Sequence, residues 1–208
     1  GSFYQPYEVL IDTQILQSLP KREILAGYSE IVKHSLIKDA KFFNWLERNY
    51  INLLSLENKT LETAILKSVK IKWGYVKKDP NENLTNHNSR SMLNFGHTIG
   101  HALERIYNYK TINHGEAISI GMIAEAKISN KLGYLSKKNL IKIIDHFKKI
   151  NLKISDENLK KEKILTYIYK DKKNSNHKIN LALLNKIGSS FFKRNIKIVD
   201  IKKLLKKI

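Results

Sequence analysis

Residues 89–104 read SRSMLNFGHTIGHALE, and this stretch decides how the rest of the chain is read. His97 and His101 lie four apart, so a helix places both imidazoles on one face. Gly96 and Gly100 stand immediately before them, where the missing Cβ lets another backbone or a ligand come close. Asn94 sits about one turn before His97, with Arg90 a further turn upstream. An Asn, two His and an Arg at one helix N-terminus suit an anionic ligand and a cation together. A single histidine is more often a core residue satisfied by a carbonyl. Two histidines and two glycines sharing one face argue against that bland reading. Position 98 is Thr, so the pattern is not the HExxH of a zinc protease.

Upstream and downstream the apolar spacing is helical. It predicts helices over 21–36, 39–54, 61–78, 94–107, 115–132, 137–149 and 160–169. In the third of these, Ile65, Leu66, Val69, Trp73 and Val76 share one side. The helix at 115–132 is dense in Ala, Ile and Gly and reads as buried on most sides. Pro80 and the asparagine-rich NENLTNHNS (81–89) mark a loop. KINLALL (178–184) and SSFFKRNIKIV (189–199) then read as two strands around a turn, followed by a short amphipathic helix. No repeat and no linker divides the chain. The expected fold is mainly α, a multi-helical unit over 1–208 with a small β-hairpin near its end.

The bulk composition narrows the function classes. The chain has 208 residues, 42% hydrophobic, with a formal net charge of +19. Such a charge suits nucleic acid, a membrane surface or an anionic small molecule. The lysines are spread along the whole length and only five arginines occur, whereas a nucleic-acid surface favours clustered Arg forks. There are no cysteines, which removes disulfides, thiolate metal sites and thiol catalysis. No apolar run reaches the length of a membrane span and no signal peptide precedes the first polar residues. No nucleic acid and no membrane are therefore expected as partners, and the cytoplasm is the expected location.

A third histidine, His114, opens NHGEA (113–117). His97 and His114 offer two metal ligands, and a carboxylate would complete a His₂Glu set with an open position. Glu30, in AGYSEIVKH (26–34), is the preferred carboxylate, with Lys33 one turn along the same face. Spacing alone does not select it over Glu104 or Glu116. Lys72, Lys172 and Lys173 read as solvated surface on their own.

The stretches LPKREILAGYSEIVKHSLI (19–37), LNFGHTIGHALE (93–104), NHGEAISIGM (113–122) and DKK (171–173) with INLALLNKIG (179–188) resemble, in that order, the 3-dehydroquinate synthases. The opening GSFYQPYEVLIDT resembles the segment by which that family enters its C-terminal domain, so Gly1 and Ser2 read as native. The resemblance implies a helical C-terminal domain whose zinc or cobalt ligands are Glu30, His97 and His114. It implies that Lys33, Lys72, Arg90, Asn94 and His101 act on and bind the substrate, that Lys172 or Lys173 reaches its phosphate, and that Asp79 and Glu82 form an acidic pair near the site. It also implies conversion of the anionic sugar phosphate 3-deoxy-D-arabino-heptulosonate 7-phosphate to 3-dehydroquinate and phosphate, in the shikimate route to aromatic amino acids, by a homodimeric enzyme.

Two departures accompany this. The family's short glycine-containing turn before the arginine is replaced by the longer NLTNHNS (83–89). The NAD-binding N-terminal domain is absent, so no cofactor-binding residues are expected in this chain, that domain is an expected partner, and the chain alone should turn over negligibly. The alternatives are a related sugar-phosphate cyclase such as 2-deoxy-scyllo-inosose synthase, a non-catalytic basic binding module, and a degenerate domain kept for assembly.

Overall fold

The computed structural model describes residues 4, 6–169 and 178–207. Helix α1 (Lys21–Lys38) starts behind Pro20, whose fixed φ and missing N–H cost nothing there and whose carbonyl accepts from Glu23 and Ile24. Asp39 ends α1 and opens α2 (Ala40–Leu54), its carboxylate accepting from the Phe42 amide. Glu57 caps α3 (Asn58–Val76) in the same manner. A 3₁₀ turn, Arg90–Asn94, precedes α4 (His97–Ile106). Helix α5 (His114–Lys131) starts on a capping box between Asn113 and Glu116. Helices α6 (Lys137–Lys149) and α7 (Glu162–Tyr169) follow, then strands β1 (Lys178–Lys186) and β2 (Ser189–Lys197), and α8 (Ile198–Lys206). The architecture is mainly helical, with one antiparallel two-stranded hairpin among the described residues.

Helix α5 organises the interior. Ile118, Met122, Ile123 and Ala126 face one apolar cluster, built with α1, α2, α6 and the turn before α4. Ala117, Ile120, Ala124 and Ile128 face a second, built with α4, α7, α8 and the hairpin. An Ala- and Gly-rich composition follows from this position, because both faces must admit close neighbours. β1 lies along α5, with the Leu184 amide donating to Ser129 Oγ at 3.1 Å.

Two sequence expectations change. The predicted helix 94–107 is interrupted at Phe95–Gly96, where Gly96 has φ +81°. Helix α3 also turns the other way: it buries Leu61, Ala64, Ser68 and Tyr75, while Leu66 and Trp73 are each 58% exposed and Val69 43%. The buried side is the one that meets α1, where His34 Nδ1 and Ser68 Oγ lie 2.5 Å apart.

His146 on α6 is fully buried between Tyr28, Phe43 and Tyr50, its Nε2 3.0 Å from the Tyr28 hydroxyl. Burial, with Lys149 and Lys142 nearby, pushes its pKa down to about 4. The unfolded chain, with a histidine pKa of about 6.5, therefore binds more protons between these two values. Stability should fall by about 2 kcal/mol as pH drops from 7 to 5 through this residue. Urea unfolding at the two pH values, with wild type compared to His146→Phe, isolates the contribution. An unchanged pH slope in the variant would contradict it.

Candidate metal centre

Among the described residues three buried side-chain atoms lack a hydrogen-bond partner: Glu30 Oε1, Glu125 Oε1 and His146 Nδ1. The first lies where three helices converge. Glu30 is near the middle of α1, His97 is the first residue of α4, and His114 is the first residue of α5. The start of α5 reaches α1 because Gly115 has no side chain; a Cβ there would lie 2.2 Å from Ala26 Cα. Glu30 Oε1 is 3.7 Å from His97 Nε2 and 3.9 Å from His114 Nε2. The three ligand atoms all lie within 4.8 Å of one another.

The protonation of each group follows from its neighbours. His97 Nδ1 is 3.2 Å from the Phe95 carbonyl. A carbonyl only accepts, so Nδ1 carries the hydrogen and Nε2 presents a lone pair. Burial, with Lys33 close by, pushes the His97 pKa down to about 3, so the ring is neutral. His114 Nδ1 donates to Glu104 Oε1 at 3.0 Å, so in the neutral ring Nε2 is the acceptor. That bond raises the His114 pKa against the opposing effect of burial. Burial alone would raise the Glu30 carboxyl, but the charge and hydrogen bond of Lys33 outweigh it and hold its pKa at about 2. A carboxylate oxygen, the His97 lone pair and His114 Nε2 thus face one spot, where a metal ion would take the place of any proton on His114. Tetrahedral bonds of ~2.0–2.1 Å need ligand atoms ~3.4 Å apart, and the two measured separations are within a few tenths of an ångström of that. The residues fit a zinc or cobalt ion.

His101, Glu104 and His114 form a second group of the required compactness. Its shared carboxylate is already committed to His114 Nδ1, which makes Glu104 a support that orients His114. The three carboxylates left open by the sequence are thereby sorted. Glu30 points inward. Glu104 stands behind His114. Glu116 caps α5 and accepts from Nε and Nη2 of Arg22, at 3.0 and 2.6 Å. We expect Glu104→Ala to weaken zinc binding 10–100-fold and Glu104→Gln, which keeps an acceptor, to weaken it less. Zinc titration of the two variants checks this, and equal losses would count against an orienting role.

Lys33 is 3% exposed, and its Nζ donates to Glu30 Oε2 at 2.7 Å. Burial lowers its pKa, Glu30 opposes this, and the charge of Lys72 on α3 lowers it further. Lys72 itself is exposed, its charge felt at the site. His101 is half-exposed at the rim, its ring centroid 5.2 Å from that of His97. Asn94 donates through Nδ2 to Glu82 Oε1 at 2.7 Å. Arg90 donates through Nη1 to the Pro80 carbonyl at 2.9 Å. Asp79 is buried and turned to the loop backbone, accepting from the amides of Asn83, Leu84 and Arg90. Asp79 and Glu82 therefore hold Arg90 and Asn94 in place across the long loop. Lys172 and Lys173 lie outside the described residues. Sequence reading missed the orienting role of Glu104, although its place seven residues after His97 on the same helix was a usable signal.

A model of the 3-dehydroquinate synthase C-terminal family matches residues 27–174. A 3-dehydroquinate synthase of Thermoanaerobacter pseudethanolicus is 42% identical over 190 residues, which cover 91% of this chain and 52% of that protein. One from Pelagibacter ubique is 41% identical over 214 residues, covering all of this chain and 56% of its own. The chain thus spans about half the length of the curated relatives it matches. Among solved structures, a 2-epi-5-epi-valiolone synthase from Streptomyces hygroscopicus subsp. jinggangensis, with NAD+ and Zn2+ bound, superposes with a TM-score of 0.80 at 22% identity. The match covers 94% of this chain and 53% of that one. A 2-deoxy-scyllo-inosose synthase complexed with carbaglucose-6-phosphate, NAD+ and Co2+ superposes with a TM-score of 0.76 at 27% identity, covering 94% and 55%.

Proposed function

The chain belongs to the 3-dehydroquinate synthase C-terminal family, and from that premise we propose that it is the metal- and substrate-binding half of a 3-dehydroquinate synthase. Its substrate is then 3-deoxy-D-arabino-heptulosonate 7-phosphate, its products 3-dehydroquinate and phosphate, and its partner an NAD-binding domain. The observation that carries this reading is the partnerless Glu30 Oε1 facing the Nε2 atoms of His97 and His114. Glu30, His97 and His114 would hold a zinc or cobalt ion. When bound, that ion supplies Lewis acidity toward substrate hydroxyls, and NAD supplies the hydride chemistry.

The chain's own residues set charge and position. Lys33 offsets Glu30, so the ligand set carries little net charge before substrate arrives. Lys72 and Arg90 add positive charge at the rim, suited to a carboxylate and a phosphate; Lys172 or Lys173 is proposed to join them. Asn94, fixed by Glu82, offers its carbonyl oxygen to a substrate hydroxyl. His101, exposed beside the metal ligands, is the group placed to accept or return a proton at a substrate oxygen.

The relatives near 40% identity are dehydroquinate synthases, against 27% for the 2-deoxy-scyllo-inosose synthase, which supports the carboxylate-bearing substrate. Among the described residues no helix is long and apolar enough to cross a membrane. We expect the 208-residue chain with NAD and zinc to form no 3-dehydroquinate, and to gain activity when an NAD-binding domain from a close relative is added in trans. Steady turnover by the chain alone would contradict the division of labour. Turnover only of glucose 6-phosphate by the reconstituted pair would favour the related cyclase.

A further inference from the structure

The imidazole of His97 faces Glu30 only because α4 starts where it does, and the start of α4 is unusual. Its N-cap residue is Gly96, which offers no side chain to the free amides of the first turn. No other residue fits there. Gly96 has φ +81°, and an added Cβ would lie 2.6 Å from Met122 Cγ and 2.9 Å from the Ile118 carbonyl oxygen. A local Ser, Asp or Asn cap is therefore sterically excluded. The acceptor comes from another helix. Glu125, fully buried on α5, accepts from the Gly96 amide through Oε2 at 2.7 Å and also from the Ile99 amide. These two amides belong to the N-cap residue and the third residue of α4.

We propose that Glu125 is the N-cap of α4, supplied from α5, and is the positioning residue that aims His97 at Glu30. The inference rests on the metal-site reading above. Glu125 stands four residues after Gly121, on the face of α5 that α4 crosses, so the same contact sets the closeness of the helices and the register of the cap. Its other oxygen, Oε1, has no partner, and burial pushes the carboxyl well above the usual range. A neutral side chain with one acceptor oxygen is thus all the role requires.

The test compares Glu125→Gln, which keeps an acceptor at the same reach, with Glu125→Leu, which removes it, and Glu125→Asn, which withdraws it by one methylene. Zinc alone is the titrant, and hydrogen exchange of the Gly96 and Ile99 amides is the second readout. The expected result is zinc affinity within about threefold of wild type for Gln and a 10–100-fold loss for Leu and Asn. Exchange at the two amides should rise at least about tenfold in Leu and Asn only. Ile128→Val, which loosens the same helix away from the site, should lower the melting temperature and leave zinc affinity unchanged; a matching loss of affinity in it would reduce Glu125 to general packing and overturn the proposal. Wild-type affinity in Asn with both amides still protected, or a loss in Gln equal to that in Leu, overturns it too. If Leu does not fold, Asn decides. If the wild-type chain binds no zinc, the metal reading fails, and the exchange of the two amides in Asn alone decides whether Glu125 caps α4.

Discussion

His97→Ala lowers zinc affinity by more than about 100-fold, beyond the 10–100-fold that supporting groups command, while the chain stays folded. The ring it removes is neutral and part-buried, with Nδ1 bonded to the Phe95 carbonyl. Glu30→Ala loses zinc as well, but with a second effect. It strips the buried Lys33 ammonium of its 2.7 Å carboxylate partner, and an unpaired buried charge costs about 3–5 kcal/mol. Lys33→Met in the same chain should restore most of the stability and none of the zinc binding. Calorimetric titration with chemical denaturation of the three variants separates the two effects. Stoichiometric zinc retained by His97→Ala would remove the proposed ligand set.

Gly121→Ala should lower stability by about 3 kcal/mol, a fall of roughly 6–12 °C in melting temperature for a chain of this size. Two effects compete. Alanine is the better helix former by about 1 kcal/mol, which on an open helix face would make the change stabilising. Here the new Cβ would stand 2.0 Å from the Gly96 carbonyl oxygen and 2.9 Å from the Gly100 amide nitrogen. Backbone does not move aside as a flexible side chain does, so α4 must lift from α5 and steric exclusion wins. Zinc affinity should fall with it, because His97 rides on α4 while His114 is carried by α5. A scanning melt and a zinc titration read both. A variant as stable as wild type would show that the two helices do not meet at this point.

Much of this was legible in the residues. The helix starts predicted at 21, 39 and 115 lie within one residue of Lys21, Ala40 and His114, where Pro20, Asp39 and the Asn113–Glu116 pair are local devices that act through the first turn. The hairpin followed from its apolar runs and from the turn at Gly188. Other features were not legible, for physical reasons. The break at Phe95–Gly96 is imposed by α5 across the fold, and the local sequence from Asn94 to Tyr107 keeps a helical pattern through it. The choice among Glu30, Glu104 and Glu116 depends on which carboxylate is already engaged by His114 or Arg22, a matter of partners tens of residues away. For α3, apolar count along one side misled. Its small residues Ala64 and Ser68 face α1 because they allow close packing, and the larger Leu66, Val69 and Trp73 are left outside.

Glu30, His97 and His114 belong to three different helices, and the first two are 67 positions apart along the chain (97 − 30). A cation held by all three would be a reversible cross-link, closing in the native state a long loop that the unfolded chain leaves open. Because the unfolded chain has no such meeting point, each tenfold rise in free zinc above the dissociation constant would add about 1.4 kcal/mol to the native state. The thermal midpoint of this chain would then serve as a gauge of the free metal around it.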